Sequence, residues 1–163
     1  MTDLAEQRAD LATHHIEGFA VHGAMPFDVP LVSHICDNLW TGGCRDGVRL
    51  PDDFAHVVSL YTAERYVLGP ATHRVTMTLH DSSEDPGEGA ALYELARKVN
   101  AFRGEGKTLV HCQAGLNRSS LITALALIVD GTAPDDAIEL LRARRSPAVL
   151  CNATFERWLR NRG

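Results

Sequence analysis

His111-Cys112-Gln113-Ala114-Gly115-Leu116-Asn117-Arg118-Ser119 is the stretch on which the reading of this chain turns. It follows a short apolar run, Thr108-Leu109-Val110, and precedes a long one, Leu121 to Val129. That order predicts strand, loop, helix. Backbone N–H groups of such a loop and of the helix N-terminus converge on one point and form an anion site. A cysteine at that point favours its thiolate form and serves as a nucleophile. Arg118 stands where a guanidinium can fork two phosphate oxygens. Gly115 lets the backbone curl without a Cβ clash. A lone Cys112 would read as a buried, inert thiol at the end of a core strand. Gly115 and Arg118 at their spacings change that reading to attack of sulfur on phosphorus.

Working outward, the 163 residues make one ordinary domain with room for a core. The formal net charge of −5 argues against nucleic acid as a partner, because phosphate backbones select basic surfaces. No apolar run reaches the length of a membrane span; the longest is broken by Thr123 and ends at Asp130-Gly131. The opening Met1-Thr2-Asp3-Leu4-Ala5-Glu6 is acidic and lacks a signal-peptide shape, so a cytoplasmic location is expected. Cys36, Cys44, Cys112 and Cys151 form no CxxC pair, which weakens zinc-site and disulfide-framework readings. With no HExxH and no carboxylate cluster at ligand spacing, neither metal nor cofactor is expected. His14-His15 reads as a helix face rather than a ligand pair.

Periodicity predicts a helix over 3–17, through Leu4, Leu11, His15 and Ile16, then a loop over 18–30 punctuated by Gly23, Pro26 and Pro30. Residues 1–32 thus read as a helical and loop extension ahead of a domain over 33–163. Strand pairing is expected over 34–40, closed by Thr41-Gly42-Gly43. Pro51 to Phe54 reads as a short helical turn. Further strands are expected over 56–60 and 75–79, then a polar loop over 81–87. A helix over 88–102 should end at Gly104 and Gly106. Pro134-Asp135-Asp136 should open the helix after Gly131, and Asn152 should cap a last one carrying Phe155, Trp158 and Leu159. Strands alternating with helices predict an α/β fold: a central, mostly parallel twisted sheet of about four or five strands flanked by helices. Its functional loops should lie at the C-terminal strand ends.

The 111–119 stretch resembles the signature loop of cysteine-dependent protein tyrosine phosphatases, and its Arg-Ser ending resembles the dual-specificity branch. Asn38-Leu39-Trp40-Thr41-Gly42-Gly43 looks like the opening of dual-specificity domains, and Phe54 to Leu60 is similar to the strand that follows it there. Arg145-Ser146-Pro147, Asn152 and Phe155 look like the closing pattern of that family, with Arg145 and Pro147 one residue further apart. The resemblance covers about residues 33–160. It implies Cys112 as nucleophile, with the backbone of Gln113, Ala114, Gly115, Leu116 and Asn117 and the side chain of Arg118 holding phosphate. It also implies that His111 orders the loop and tunes the thiol. Ser119 either donates to the departing sulfur or caps the helix, and Asn117 reads as a structural brace. The family's general acid lies on a loop some thirty residues before the cysteine. Asp81, 31 residues upstream of Cys112, fits, with Asp85 as the fallback. Some members protect an oxidised nucleophile by a disulfide, a role open to Cys36, Cys44 or Cys151.

The implied function is hydrolysis of phosphotyrosine, and by extension phosphoserine or phosphothreonine, in a phosphorylated protein. Two alternatives keep the chemistry and change the substrate, to a phosphoinositide or an RNA 5′-triphosphate. The neutral residues at 113, 114, 116 and 117 disfavour the first and the acidic balance the second. A third alternative is an inactive phosphate-binding module, which the presence of Cys112, Arg118 and Asp81 disfavours.

Overall fold

The computed structural model describes residues 11, 14–20, 22, 23 and 25–162. Two strands, β1 (His15–Phe19) and β2 (Pro26–Pro30), form an antiparallel ribbon of their own. The main sheet contains β3 (Val32–Cys36), β4 (Leu39–Gly42), β5 (Phe54–Ser59), β6 (His73–Thr76) and β7 (Lys107–His111), in the order β3-β4-β7-β5-β6. Only the β3–β4 hairpin is antiparallel; β4, β7, β5 and β6 run parallel. Among the described residues four helices with defined bounds accompany the sheet: α1 (Ala90–Glu105), α2 (Arg118–Val129), α3 (Pro134–Arg144) and α4 (Ala153–Arg160). The fold is therefore the mixed α/β layer expected, with a five-stranded sheet.

Burial explains the central elements. In β7 every residue from Thr108 to His111 is buried, as a strand flanked on both edges and covered on both faces requires. Helix α2 is buried continuously from Ser119 to Leu127, so it is apolar around most of its girth rather than along one stripe. The strand and helix that flank the signature loop are thus the two most enclosed elements of the fold. Neither end of the loop has room to drift. No helix among the described residues is long and apolar enough to cross a membrane.

Several expectations need correction. The helix over 3–17 does not reach its predicted end, because His15 to Phe19 is strand β1; residues 1–10, 12 and 13 lie outside those described. The supposed loop over 18–30 contains β2, so residues 15–30 form a ribbon where the end of a helix and a loop are expected, while Leu11 is helical. Pro26 and Pro30 do not break this strand pair. They sit at the two ends of β2, where the missing N–H groups face away from the partner strand and cost no ladder bond. His15 accordingly lies on a strand and meets Asp28 at 2.7 Å. Pro51 to Phe54 is the single turn expected, closed by Phe54 N–H to the Pro51 carbonyl at 3.2 Å, and Phe54 already opens β5. Strand β6 spans 73–76 instead of 75–79. The following residues still track β5, through Met77 N–H to the Ser59 carbonyl and Leu79 N–H to the Leu60 carbonyl. Gly104 lies inside α1, and only Gly106 ends it.

Candidate active site

Five consecutive carbonyls of the signature loop are turned outward and held. The Cys112 carbonyl faces His111 Nδ1 at 3.2 Å. That of Gln113 accepts from the Cys44 N–H at 3.0 Å, and that of Leu116 from the Leu150 N–H at 2.8 Å. Between them, the Ala114 and Gly115 carbonyls accept from Nη2 and Nε of Arg145, at 3.0 and 2.8 Å. A backbone whose carbonyls all point out must turn its N–H groups in. They converge on Cys112, whose Sγ accepts from the Gly115 N–H at 3.3 Å and lies 3.4 Å from Ser119 Oγ. The following helix adds its first turn, with Asn117 at its N-cap making no side-chain capping bond. Ser119 is fully buried behind the sulfur and is not the cap.

The curl depends on glycine at 115, where φ is +73°. A Cβ there would strike the Gly42 backbone, the Gly43 nitrogen and Arg145. The end of β4 is equally constrained: a Cβ on Gly43 would strike both Ile16 of the N-terminal ribbon and the Gln113 carbonyl. Thr41-Gly42-Gly43 therefore does more than close a strand. It lets three segments pack backbone against backbone beneath the loop.

His111 is completely buried, and burial pushes its imidazole down to about 4, so it is neutral at ordinary pH. A neutral ring has one donor, and a carbonyl can only accept. Nδ1–H therefore donates to the Cys112 carbonyl, and Nε2 accepts from the Ser59 hydroxyl at 2.7 Å. The Tyr66 ring packs edge-on against the imidazole, and its hydroxyl donates to the Gly43 carbonyl at 2.7 Å. Arg145 is brought down to about 10 by burial and remains charged.

Cys112, Arg118, Asp81, Gln113, Ala114, Leu116 and Asn117 all line one cavity of about 360 Å³. The Arg118 guanidinium lies over the Tyr61 ring at 5.0 Å, and its Nη1 reaches the Leu79 carbonyl at 3.5 Å. Its buried Nε has no hydrogen-bond partner among the described residues, as expected of a donor kept for an incoming acceptor. Asp81 is held by amides: Asn117 Nδ2 donates to one carboxylate oxygen at 3.1 Å and Asn152 Nδ2 to the other at 2.8 Å. His22 Nε2 donates to the Asp81 carbonyl at 3.0 Å. Asn117 also accepts from the Asn152 N–H at 2.9 Å, so one amide ties the signature loop to both the Asp81 loop and α4. Asp85 does not line the cavity; its carboxylate accepts from the Gly87 N–H at 2.7 Å, a local turn.

The remaining cysteines differ in place. Cys44 lines the same cavity as Cys112, and burial together with the charges of Glu64 and Asp46 pushes its thiol up to about 12. Cys151 packs against Asn117. Cys36 pairs with Leu39 at the opposite end of the sheet from the loop, near Arg103. Among the described residues no group of three or more His, Cys, Asp or Glu side chains is placed to hold a metal. Sequence reasoning gave no site role to Arg145, Ser59, Tyr66 or His22. Arg145 was visible only as part of a closing pattern, and nothing local in the others signals a partner far along the chain.

Residues 52–162 match the family model described as dual specificity phosphatase, catalytic domain, and the chain belongs to that family. Human protein tyrosine phosphatase type IVA 3 is 48% identical over 70 residues, and its mouse counterpart 34% identical over 70 residues. Each alignment covers 42% of this chain and 40% of the relative, so it spans well under half of those proteins' length. Among solved structures, human DUSP28 superposes with a TM-score of 0.67 at 18% identity, covering 78% of this chain and 92% of that one. The human tyrosine phosphatase-like serine/threonine/tyrosine-interacting protein gives 0.65 at 18% identity, covering 78% and 92%. At such identities these structures establish the shared fold.

Proposed function

We propose that this protein is a phosphoprotein phosphatase that cleaves phosphotyrosine, and by extension phosphoserine and phosphothreonine, through a phosphocysteine intermediate at Cys112. The observation that carries the reading is the set of five outward-held carbonyls, which leaves a ring of inward N–H groups around one sulfur. Cys112 Sγ attacks phosphorus, and the bond from phosphorus to the ester oxygen breaks. Asp81 gives its proton to the departing oxygen. The loop amides and Arg118 hold the three equatorial oxygens through the transition state. Water then attacks phosphorus, the phosphorus–sulfur bond breaks, and Asp81 takes the proton of that water. Ser119 donates to the sulfur as it leaves, while His111 works from behind, fixing the orientation of the Cys112 carbonyl. Asn117 and Asn152 position the acid.

In this reading residues 33–163 form the catalytic domain, and the partner is a phosphorylated protein rather than nucleic acid. A thiol nucleophile works in a reducing compartment, which favours the cytoplasm. The chemistry proposed uses no metal. The test is turnover of phenyl phosphate and of a phosphotyrosyl peptide in EDTA. Activity should persist and be inhibited competitively by vanadate, which mimics the trigonal phosphoryl group. Loss in EDTA with recovery on adding a divalent cation would overturn the mechanism.

A further inference from the structure

The β1–β2 ribbon lies outside the family-matched stretch, yet Glu17 and Phe19 of β1 line the same cavity as Cys112 and Arg118. Which of its backbone groups point where follows from its pairing. Ala20 N–H bonds the Met25 carbonyl, and Leu31 N–H bonds the His14 carbonyl. In an antiparallel ladder, hydrogen-bonded pairs alternate with non-hydrogen-bonded ones. The bonded pairs are then Ile16 with Val29 and Gly18 with Phe27. The pairs His15 with Pro30, Glu17 with Asp28 and Phe19 with Pro26 direct their backbone groups outward. Two of these three partners are prolines, which have no N–H to give. The His15 carbonyl does point outward, since it accepts from Arg45 Nη2 at 2.6 Å.

The edge of β1 away from β2 therefore presents the N–H and C=O of Glu17 and of Phe19, just beyond the carbonyl that Arg45 occupies. Both residues border the catalytic cavity, whereas their outward-facing opposites on β2, Asp28 and Pro26, do not. The ribbon is anchored, not loose. Arg145 Nη1 holds the Pro30 carbonyl at 2.8 Å with the same guanidinium that holds the signature loop. An edge strand rigidly mounted beside a nucleophile is a template for an extended chain.

Given the phosphatase function proposed above, on which this depends, we propose that the phosphorylated segment of the substrate protein docks as an added strand on the outer edge of β1, with which no strand among the described residues pairs. Its main chain pairs with the backbone of Glu17 and Phe19 while the phosphorylated side chain reaches Cys112. The occupant is an extended peptide because the edge offers alternating donors and acceptors two residues apart, the repeat of a strand.

The probe is a nine-residue peptide with phosphotyrosine at its centre and alternating alanine and threonine on either side. Its affinity for the Cys112→Ser protein is measured with each amide N-methylated in turn. Docking by strand addition predicts a period of two: alternate methylations weaken binding about 3- to 10-fold each, the worth of one net hydrogen bond, and those between them do not. Glu17→Pro removes one outward N–H and leaves the ribbon's own ladder intact. In the otherwise native enzyme it should lower the ratio of kcat/KM for the peptide to that for phenyl phosphate by a similar factor. Losses without a period of two, or no loss at any position, would overturn the docking mode. Failure of the native enzyme to hydrolyse phenyl phosphate would instead overturn the phosphatase function, and the binding series would still report on the edge.

Discussion

The signature loop and the β1–β2 ribbon face one cavity and are built in opposite ways. In the loop every carbonyl from Cys112 to Leu116 is held, so its N–H groups have a single direction. The ribbon is fastened at a few points, through Pro30 to Arg145, His15 to Arg45 and His22 to Asp81. Along β1 the outer backbone groups belong to Glu17 and Phe19, residues that border the cavity. A transition state of fixed shape needs rigid, convergent donors, because a donor that must reorganise during the reaction loses most of its value. A chain segment that receives varied substrates needs repetition and access instead. The two regions share Arg145, which braces both from a nearly fully buried position. Chemistry and recognition are separate in the backbone but joined in one guanidinium.

The sharpest way to break this contrast is at the sulfur. Cys112→Ser should lower turnover by about 10⁴-fold or more while vanadate still binds, because the amides and Arg118 remain. Arg118→Lys should lose on the order of 10²-fold or more, since a point charge cannot reproduce the fork. Measurable hydrolysis of an aryl phosphate by Cys112→Ser would remove the loop's claim to the chemistry.

Next in size is the acid. Asp81→Asn should slow phenyl phosphate by on the order of 10²- to 10⁴-fold and slow an activated aryl ester far less. In that variant only the basic limb of the pH–rate profile should flatten. Asp85→Asn should behave like the native enzyme, as its carboxylate is occupied by Gly87 N–H. The reverse pattern would move the acid four residues along the chain.

Arg145→Met tests the shared brace. It strands the Ala114, Gly115 and Pro30 carbonyls, and a loss of about 3 kcal/mol in urea unfolding is expected, at 1–3 kcal/mol per orphaned buried group after partial relaxation. Phosphopeptide and phenyl phosphate turnover should fall together, because the loop and the ribbon move together. A variant that damaged only one of them would show that the two regions are independently held.

The smallest effect belongs to His111. Its folded-state value of about 4 lies below the ordinary 6.5, so the unfolded chain takes up a proton first as the pH falls. Its contribution to stability is full above about pH 6.5, declines between 6.5 and about 4, and has gone below that. The total is at most roughly 3 kcal/mol. Urea unfolding at pH 7, 5.5 and 4.5 should show this slope in the native protein and a shallower one in His111→Asn. Equal slopes would mean that the imidazole is not held neutral.

What was legible in the sequence was what local spacing carries. His111 to Ser119 lies between a buried strand and a buried helix, so the motif and its setting are contiguous and can be read together. The parallel sheet was readable because β5 and β7 are apolar runs divided by a helical period. The ribbon was not. Pro26 and Pro30 read as breakers until it is known that their nitrogens face away from β1. Asp81 and Asp85 are both acidic residues in a polar loop, and only the amides of Asn117 and Asn152 distinguish them.

The sequence by itself determined the sulfur, the arginine and the curl of the loop, because a nucleophile, a fork and a left-handed glycine must be particular residue types at short, fixed intervals. Tertiary structure alone decided what holds that loop open and what stands over it. The ties from Arg145 to Gly115, Ser59 to His111 and His22 to Asp81 join residues 30, 52 and 59 positions apart. Hydrogen bonds of that kind depend on where packing places each backbone, and a linear pattern carries no distance between its distant parts.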